Sequence, residues 1–212
     1  SAVNLSDANT ILNTAMAKSL KEFADAMEGK TGEEFEAAAI AYIKDDLRKH
    51  QRIIFNGNGY SDEWPVEAER RGLANHPTTA DALPCLIEQK SIDLFGEFNV
   101  LSEVEVRSRY EVKLEKYNKL LNIEARTMKR MVRRFYLPAI NSFASDIAKD
   151  INEVKTALPS ADQGFQEKKL QTVIDGAKRV EEALDALNTA HLANVEIEDQ
   201  QERANDNAHH VI

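Results

Sequence analysis

Apolar residues recur at steps of three and four through most of the chain, the spacing of helices that each gather one apolar face. Leu12, Met16, Leu20, Phe23 and Met27 share a face, which predicts a helix from about Asp7 to Glu28. Gly29 suits the left-handed turn that ends such a helix. Thr31 followed by Glu34 reads as a capping box for a second helix, with Phe35, Ala39, Tyr42, Ile43 and Leu47 as its buried stripe. That pattern fades near His50.

The periodicity stops between Arg52 and Pro65. Two successive Asn-Gly pairs there, Asn56-Gly57 and Asn58-Gly59, favour positive φ and predict a tight turn or short hairpin. Ser61 is placed to cap a short helix carrying Glu63, Trp64 and Glu67 and ended by Gly72. A second short helix is expected from Thr78 or Thr79, with Asp81 in its first turn and Pro84 near its start, continuing through Leu83 and Ile87.

Beyond Ser102 the helical pattern lengthens. Ser102 and Glu105 form another capping box, and Val106, Tyr110, Leu114, Tyr117 and Leu121 follow one face. A further helix is expected from about Glu124 to Leu158, kinked or split by Pro138 near Phe135. Its later stripe is Ile140, Phe143, Ile147, Ile151, Val154 and Leu158. After a connector from Pro159 to Gly164, a heptad seam runs through Leu170, Val173, Ala177, Val180, Leu184, Leu187 and His191. Two long stripes joined by a short loop predict an antiparallel, coiled-coil-like helical hairpin over about 123–195. The chain opens on Ser1 and reaches Ile212 with no stop signal, which suggests a trimmed sequence cut inside a helix. The fold class is all-α. Residues 1–100 read as a helical base with one Asn-Gly-rich loop, and residues 101–212 as a long-helix region.

Composition narrows the function more than the fold. A net charge of −9 argues against a nucleic-acid binder. The lone Cys85 fits a reducing cytoplasm, and no apolar run is long enough to span a membrane. The five histidines show no metal-ligand spacing, and His191 falls on the seam as a core polar residue. Cys85, beside Leu83, Pro84 and Leu86, reads as an inert thiol. No nucleophile motif and no phosphate-binding loop occurs. No catalytic, cofactor-binding or metal-binding residue is therefore assigned.

Two features stand apart. The loop with Phe55, Asn56, Gly57, Asn58, Gly59, Tyr60 and Trp64 is a candidate interface, set against a plain surface turn. The run Arg126, Lys129, Arg130, Arg133 and Arg134 contains no acid and could meet an acidic partner or a phosphate. Its alternative is a solvated face paired with the chain's own carboxylates.

Three stretches are family-like in the same order: ANTILNTAMAKSL from Ala8, RIIFNGNGYSDEWPVEAERRGLANHPTTADALP from Arg52, and VLSEVEVRSRYEVKLEKYNKLLNIEARTM from Val100. Together they resemble the C-terminal region of type III glutamine synthetases over most of residues 8–158. Where the family pattern reads IEALTM, this chain has Arg126 in the run. The resemblance implies a helical assembly domain of a cytoplasmic, bacterial-type ligase that uses ATP and Mg²⁺ to join glutamate and ammonia. It implies partners in the rest of that enzyme and in its own subunits, as a homododecamer. The family's substrate, nucleotide and metal ligands lie upstream of the matching region, so the 212 residues alone are expected to be inactive. The rival expectation is a free-standing helical interaction module that uses the Arg126–Arg134 face.

Overall fold

In the computed structural model, which describes residues 5–211, the first apolar stripe winds into α1, Ser6–Met27. Gly29, at φ 77°, turns the chain out of it. Helix α2 follows, Gly32–Lys49. Thr31 occupies its N-cap, but its side chain makes no capping hydrogen bond, so the expected Thr31–Glu34 box does not form. Gly32 sits at φ 56°. That left-handed step separates Thr31 from the regular turn that a capping box requires. Phe23 and Tyr42 join the two helices edge to face, with ring centroids 5.4 Å apart.

The expected burial of these stripes is only partly realised. Met27 is buried and Phe23, Ala39 and Tyr42 are half-buried, but Phe35, Ile43 and Leu47 of α2 are exposed. On α1, Leu12, Met16 and Leu20 are 60–67% exposed. Periodicity shows which residues share a face; it does not supply what covers that face.

After a 3₁₀ turn at Gln51–Ile53, the non-helical loop leads into α3, Glu63–Arg70. Neither Gly57 nor Gly59 takes a positive φ, and no strand or hairpin occurs among the described residues. Asp62, not Ser61, holds the N-cap position of α3. The Ser61 hydroxyl instead donates to the Asn58 carbonyl at 3.0 Å. Helix α4, Thr79–Ala82, starts at Thr78, whose hydroxyl accepts from the Asp81 amide at 3.1 Å. Pro84 lies near the start of the 3₁₀ turn Leu83–Ile87 that follows. Helix α5, Gln89–Glu97, is an element the sequence pattern did not single out. Its Ile92 and Phe95 form a core with Val106, flanked by Leu86, Ile87 and Leu101.

Helix α6, Glu103–Met131, begins at the Ser102 capping box. The Ser102 amide donates to the Glu105 carboxylate at 2.8 Å, and the Glu105 amide donates to the Ser102 hydroxyl at 3.3 Å. The helix does not stop at Leu121 as expected. Residues 121–124 hold no glycine or proline, and Asn122, a residue type that often ends helices, has its side chain engaged elsewhere. Pro138 cannot donate to the carbonyl four residues back, and its ring crowds that carbonyl. The chain answers with a π turn over Val132–Tyr136, in which the Leu137 amide reaches the Val132 carbonyl. Helix α7 continues over Leu137–Ala157, and α8 runs over Gly164–Val195. Helix α9, Gln200–Asp206, is capped by Asp199, whose carboxylate accepts from the Glu202 amide at 2.7 Å.

The chain divides into two units, one up to Tyr110 and one from Glu111 onward. In the second, α7 and α8 pack side by side and run in opposite directions. Lys155 pairs with Glu167 near the connector, and Lys169 lies over the Phe143 ring, further from it. Leu184 and His191 of the seam are buried, the other five seam residues are half-buried, and Ile147 and Ile151 face inward from α7. A network of amides also closes this unit. Asn118 donates to the Gln200 carbonyl at 3.0 Å and accepts from Asn207 at 3.0 Å, while Asn194 donates to Asp206 at 2.8 Å. Buried amides of this kind are tolerated because each finds a partner.

Candidate functional site

The loop of the first unit is built around Phe55. Its ring lies against Trp64, with centroids 4.4 Å apart, and the Arg71 guanidinium sits 5.4 Å from the ring centre. Arg71 also donates to the carbonyls of Arg52 at 3.2 Å and Ile54 at 2.8 Å, and to Glu67 at 2.6 Å. Arg70 grips the same carboxylate with two bonds of 2.7 Å. Those two guanidiniums, Arg70 first, hold the Glu67 carboxyl down at about 2, against an ordinary 4.5. Gly57 is required for a packing reason: a Cβ there would fall 2.3 Å from the Phe55 ring. Asn58 accepts from the Tyr60 amide at 3.0 Å, fixing the turn. Asn56, Gly57, Asn58 and Gly59 are exposed, and Tyr60 is fully so. Sequence reasoning missed Arg71. The spacing of Glu67, Arg70 and Arg71 at three and four residues was the available signal.

The five cations of the basic run do not act alike. Arg126, Arg130, Arg133 and Arg134 are exposed, and among the described residues none of them pairs with a carboxylate. Pairing with the chain's own carboxylates, part of the alternative reading, is not made among the described residues. Lys129 instead turns inward from α6 to α8, donating to Asn188 Oδ1 at 3.1 Å and meeting His191 Nδ1 at 3.1 Å. Because an ammonium only donates, His191 Nδ1 must accept, which leaves Nε2–H to donate to Asn122 Oδ1 at 2.7 Å. His191 is thus a neutral, buried seam residue with both nitrogens used. Burial is the first cause of its lowered pKa, and the charges of Lys129, Arg126 and Arg203 add to it. Burial, then Arg133 and Arg126, likewise lower that of Lys129.

Arg126, Lys129, Arg130 and Arg133, with Asn188, line a cleft of about 290 Å³. Arg134 is not among its lining residues. Arg126 and Arg130 also border a neighbouring recess with Ile123 and Thr127. The loop and the basic run lie in different units.

Elsewhere the chemistry is sparse. Cys85 Sγ lies 3.5 Å from His76 Nε2. Burial, and then Glu88, raise the thiol pKa, the opposite of what a nucleophile requires. Among the described residues, no group of three or more metal-ligating side chains gathers, and no helix is long and apolar enough to cross a membrane.

Such an arrangement defines an all-helical domain whose polar contacts join helices to one another and to the Phe55–Trp64 loop. The chain belongs to the glutamine synthetase C-terminal domain family, whose model matches residues 38–155. It is 40% identical to the type-3 glutamine synthetase of Dictyostelium discoideum over 152 residues, covering 71% of this chain and 20% of that protein. It is 34% identical to the glutamine synthetase of Butyrivibrio fibrisolvens, over 76% of this chain and 25% of that protein. For the glutamine synthetase of Bacteroides fragilis (strain YCH46) the identity is 31%, over 73% and 22% respectively. The chain therefore spans a quarter or less of the curated relatives it matches. The resemblance to the type III C-terminal region is upheld.

Proposed function

We propose that this chain is the structural and assembly domain of a type III glutamine synthetase, an ATP- and Mg²⁺-dependent ligase that joins glutamate and ammonia. One observation carries the reading: α1 and α2 expose Leu12, Met16, Leu20, Ile40, Ile43 and Leu47, large apolar side chains at helical spacing. Exposed apolar surface on this scale marks a surface made to be covered. The remainder of the enzyme, three quarters or more of each relative's length, is the natural cover.

In this reading residues 1–100 form the base that meets the rest of the enzyme, with Tyr60 at the tip of the Phe55–Trp64 loop as a contact. Residues 101–212 form a coiled-coil-like scaffold. Nucleotide, metal and substrate are held by the rest of the enzyme, in a cytoplasmic homododecamer, without nucleic acid or membrane. The isolated chain then makes no glutamine. Incubating it with glutamate, ammonia, ATP and Mg²⁺ should give no γ-glutamyl product, and turnover by the pure chain would overturn the proposal.

A second reading, a free-standing interaction module, is favoured by the four arginines that lack acids among the described residues. It requires a partner captured through Arg126–Arg134 with the α1–α2 face left open. Suppression of aggregation by Leu12→Glu and Leu20→Glu, with partner binding intact, would favour it over the first.

A further inference from the structure

The basic cleft of the second unit is an unusual feature in a chain of net charge −9. Four cations converge on it, no carboxylate lines it, and Asn188 closes it from α8. The Asn188 Oδ1 accepts from Lys129, and its Nδ2–H groups remain as donors. Positive charge and hydrogen-bond donors therefore dominate what the cleft's polar side chains present. Arg126 and Arg133 stand two turns apart on α6 and its π turn, roughly 10 Å along the axis, with Arg130 between them. Lys129 is held half-buried among them although burial and two neighbouring arginines disfavour its charge.

An arrangement of like charges without counter-ions is held together by the fold and relieved by an anion. The cleft is shallow and open, about 290 Å³, room enough for a compact anion to rest against the guanidiniums. Guanidiniums arriving from successive turns of one helix can each reach a different oxygen of one tetrahedral group. They suit the tetrahedral oxygens of a phosphate better than a flat carboxylate. The acidic remainder of the chain works against long polyanions and much less against a compact one.

We propose that this cleft binds a small multivalent anion of the phosphate class, gripped by Arg126, Arg130 and Arg133 with Lys129 behind them. Every residue named for the site lies in this chain, and the proposal does not rest on the ligase reading.

Pyrophosphate is the probe. Calorimetric titration of the chain at fixed ionic strength should give saturable binding with Kd below about 1 mM. The double variant Arg126→Gln and Arg130→Gln should bind at least about tenfold more weakly, with its helical circular dichroism unchanged. Inorganic phosphate separates a single-phosphate pocket from one that needs linked phosphates; weaker but saturable binding to the same residues supports the class. If the variant loses helicity, arginine Nε–H resonances of the unaltered chain decide: pyrophosphate should move those of residues 126, 130 and 133. The proposal is overturned by absent saturation, by equal binding in a folded variant, or by shifts confined to other arginines. Citrate binding as tightly as pyrophosphate overturns the phosphate class. Loss of self-association in the variant without any pyrophosphate binding makes the cleft a protein interface, which also overturns it.

Discussion

The two stretches that the sequence marks as candidates end in opposite states. Around the Phe55–Trp64 loop the charges are satisfied at home: Arg70 and Arg71 close on Glu67, and Arg71 ties down two loop carbonyls while facing the Phe55 ring. Along Arg126–Arg134 four guanidiniums have no acid among the described residues, and the fifth cation is spent on a buried histidine and an amide. A self-satisfied loop holds its own shape and offers only what it exposes, chiefly Tyr60. An unsatisfied charge cluster offers its chemistry to something else. The difference shows that residue type alone does not make a binding face; what matters is whether local partners have already used it.

The loop's self-sufficiency is easiest to break at Gly57. Gly57→Ala drives a methyl into the Phe55 ring and should cost about 1–3 kcal/mol, read as a lowered denaturation midpoint. Arg71→Met keeps the aliphatic stem but frees two carbonyls and leaves Glu67 to Arg70 alone. It should cost about 1–2 kcal/mol and speed amide exchange between residues 55 and 64. Acid acts on the same cluster. The Glu67 carboxyl sits at about 2 when folded and near 4.5 otherwise, so its contribution is complete above pH 4.5 and lost as pH falls toward 2. Loop amides should lose protection over that window in the native chain and show less change in Glu67→Gln.

The buried seam behind Lys129 responds at higher pH. His191 has a folded pKa below its ordinary 6.5, so its contribution is present above that value. Below it the unfolded chain takes up a proton that the folded ring refuses, and the stability of the second unit should decline. The slope should vanish in His191→Gln; a pH-independent midpoint in the native chain would contradict the neutral tautomer. The smallest effect is expected on the outer rim. Arg130→Gln with Arg133→Gln should alter stability by less than about 0.5 kcal/mol, because no folded contact is lost. A large loss there would reveal a partner within the fold.

Much of the helical layout was legible because its signals are local. Gly29, the Ser102–Glu105 box, Thr78 with Asp81 and the effect of Pro138 are each written within a few residues. The readings that failed depended on something outside the local pattern. Leu12 and Leu47 share faces with other apolar residues, yet both stay exposed among the described residues. The Asn-Gly pairs promised positive φ, whereas Gly57 is small because Phe55 folds over it. Helix α5 went unseen because Gln89–Glu97 is short, with only Ile92, Leu94 and Phe95 to mark a face. At the candidate sites, the five cations were readable by type. That Lys129 turns inward is set by Asn188 and His191, about sixty residues away, and no spacing rule reaches that far.

The central claim is that the exposed apolar faces of α1 and α2 are covered by the rest of a larger ligase. Native mass spectrometry of the full-length enzyme with Leu12→Glu and Leu20→Glu tests it directly. The account predicts that the ring assembly falls to smaller species while each subunit keeps its helical content. An assembly of unchanged mass and unchanged glutamine synthesis would contradict it.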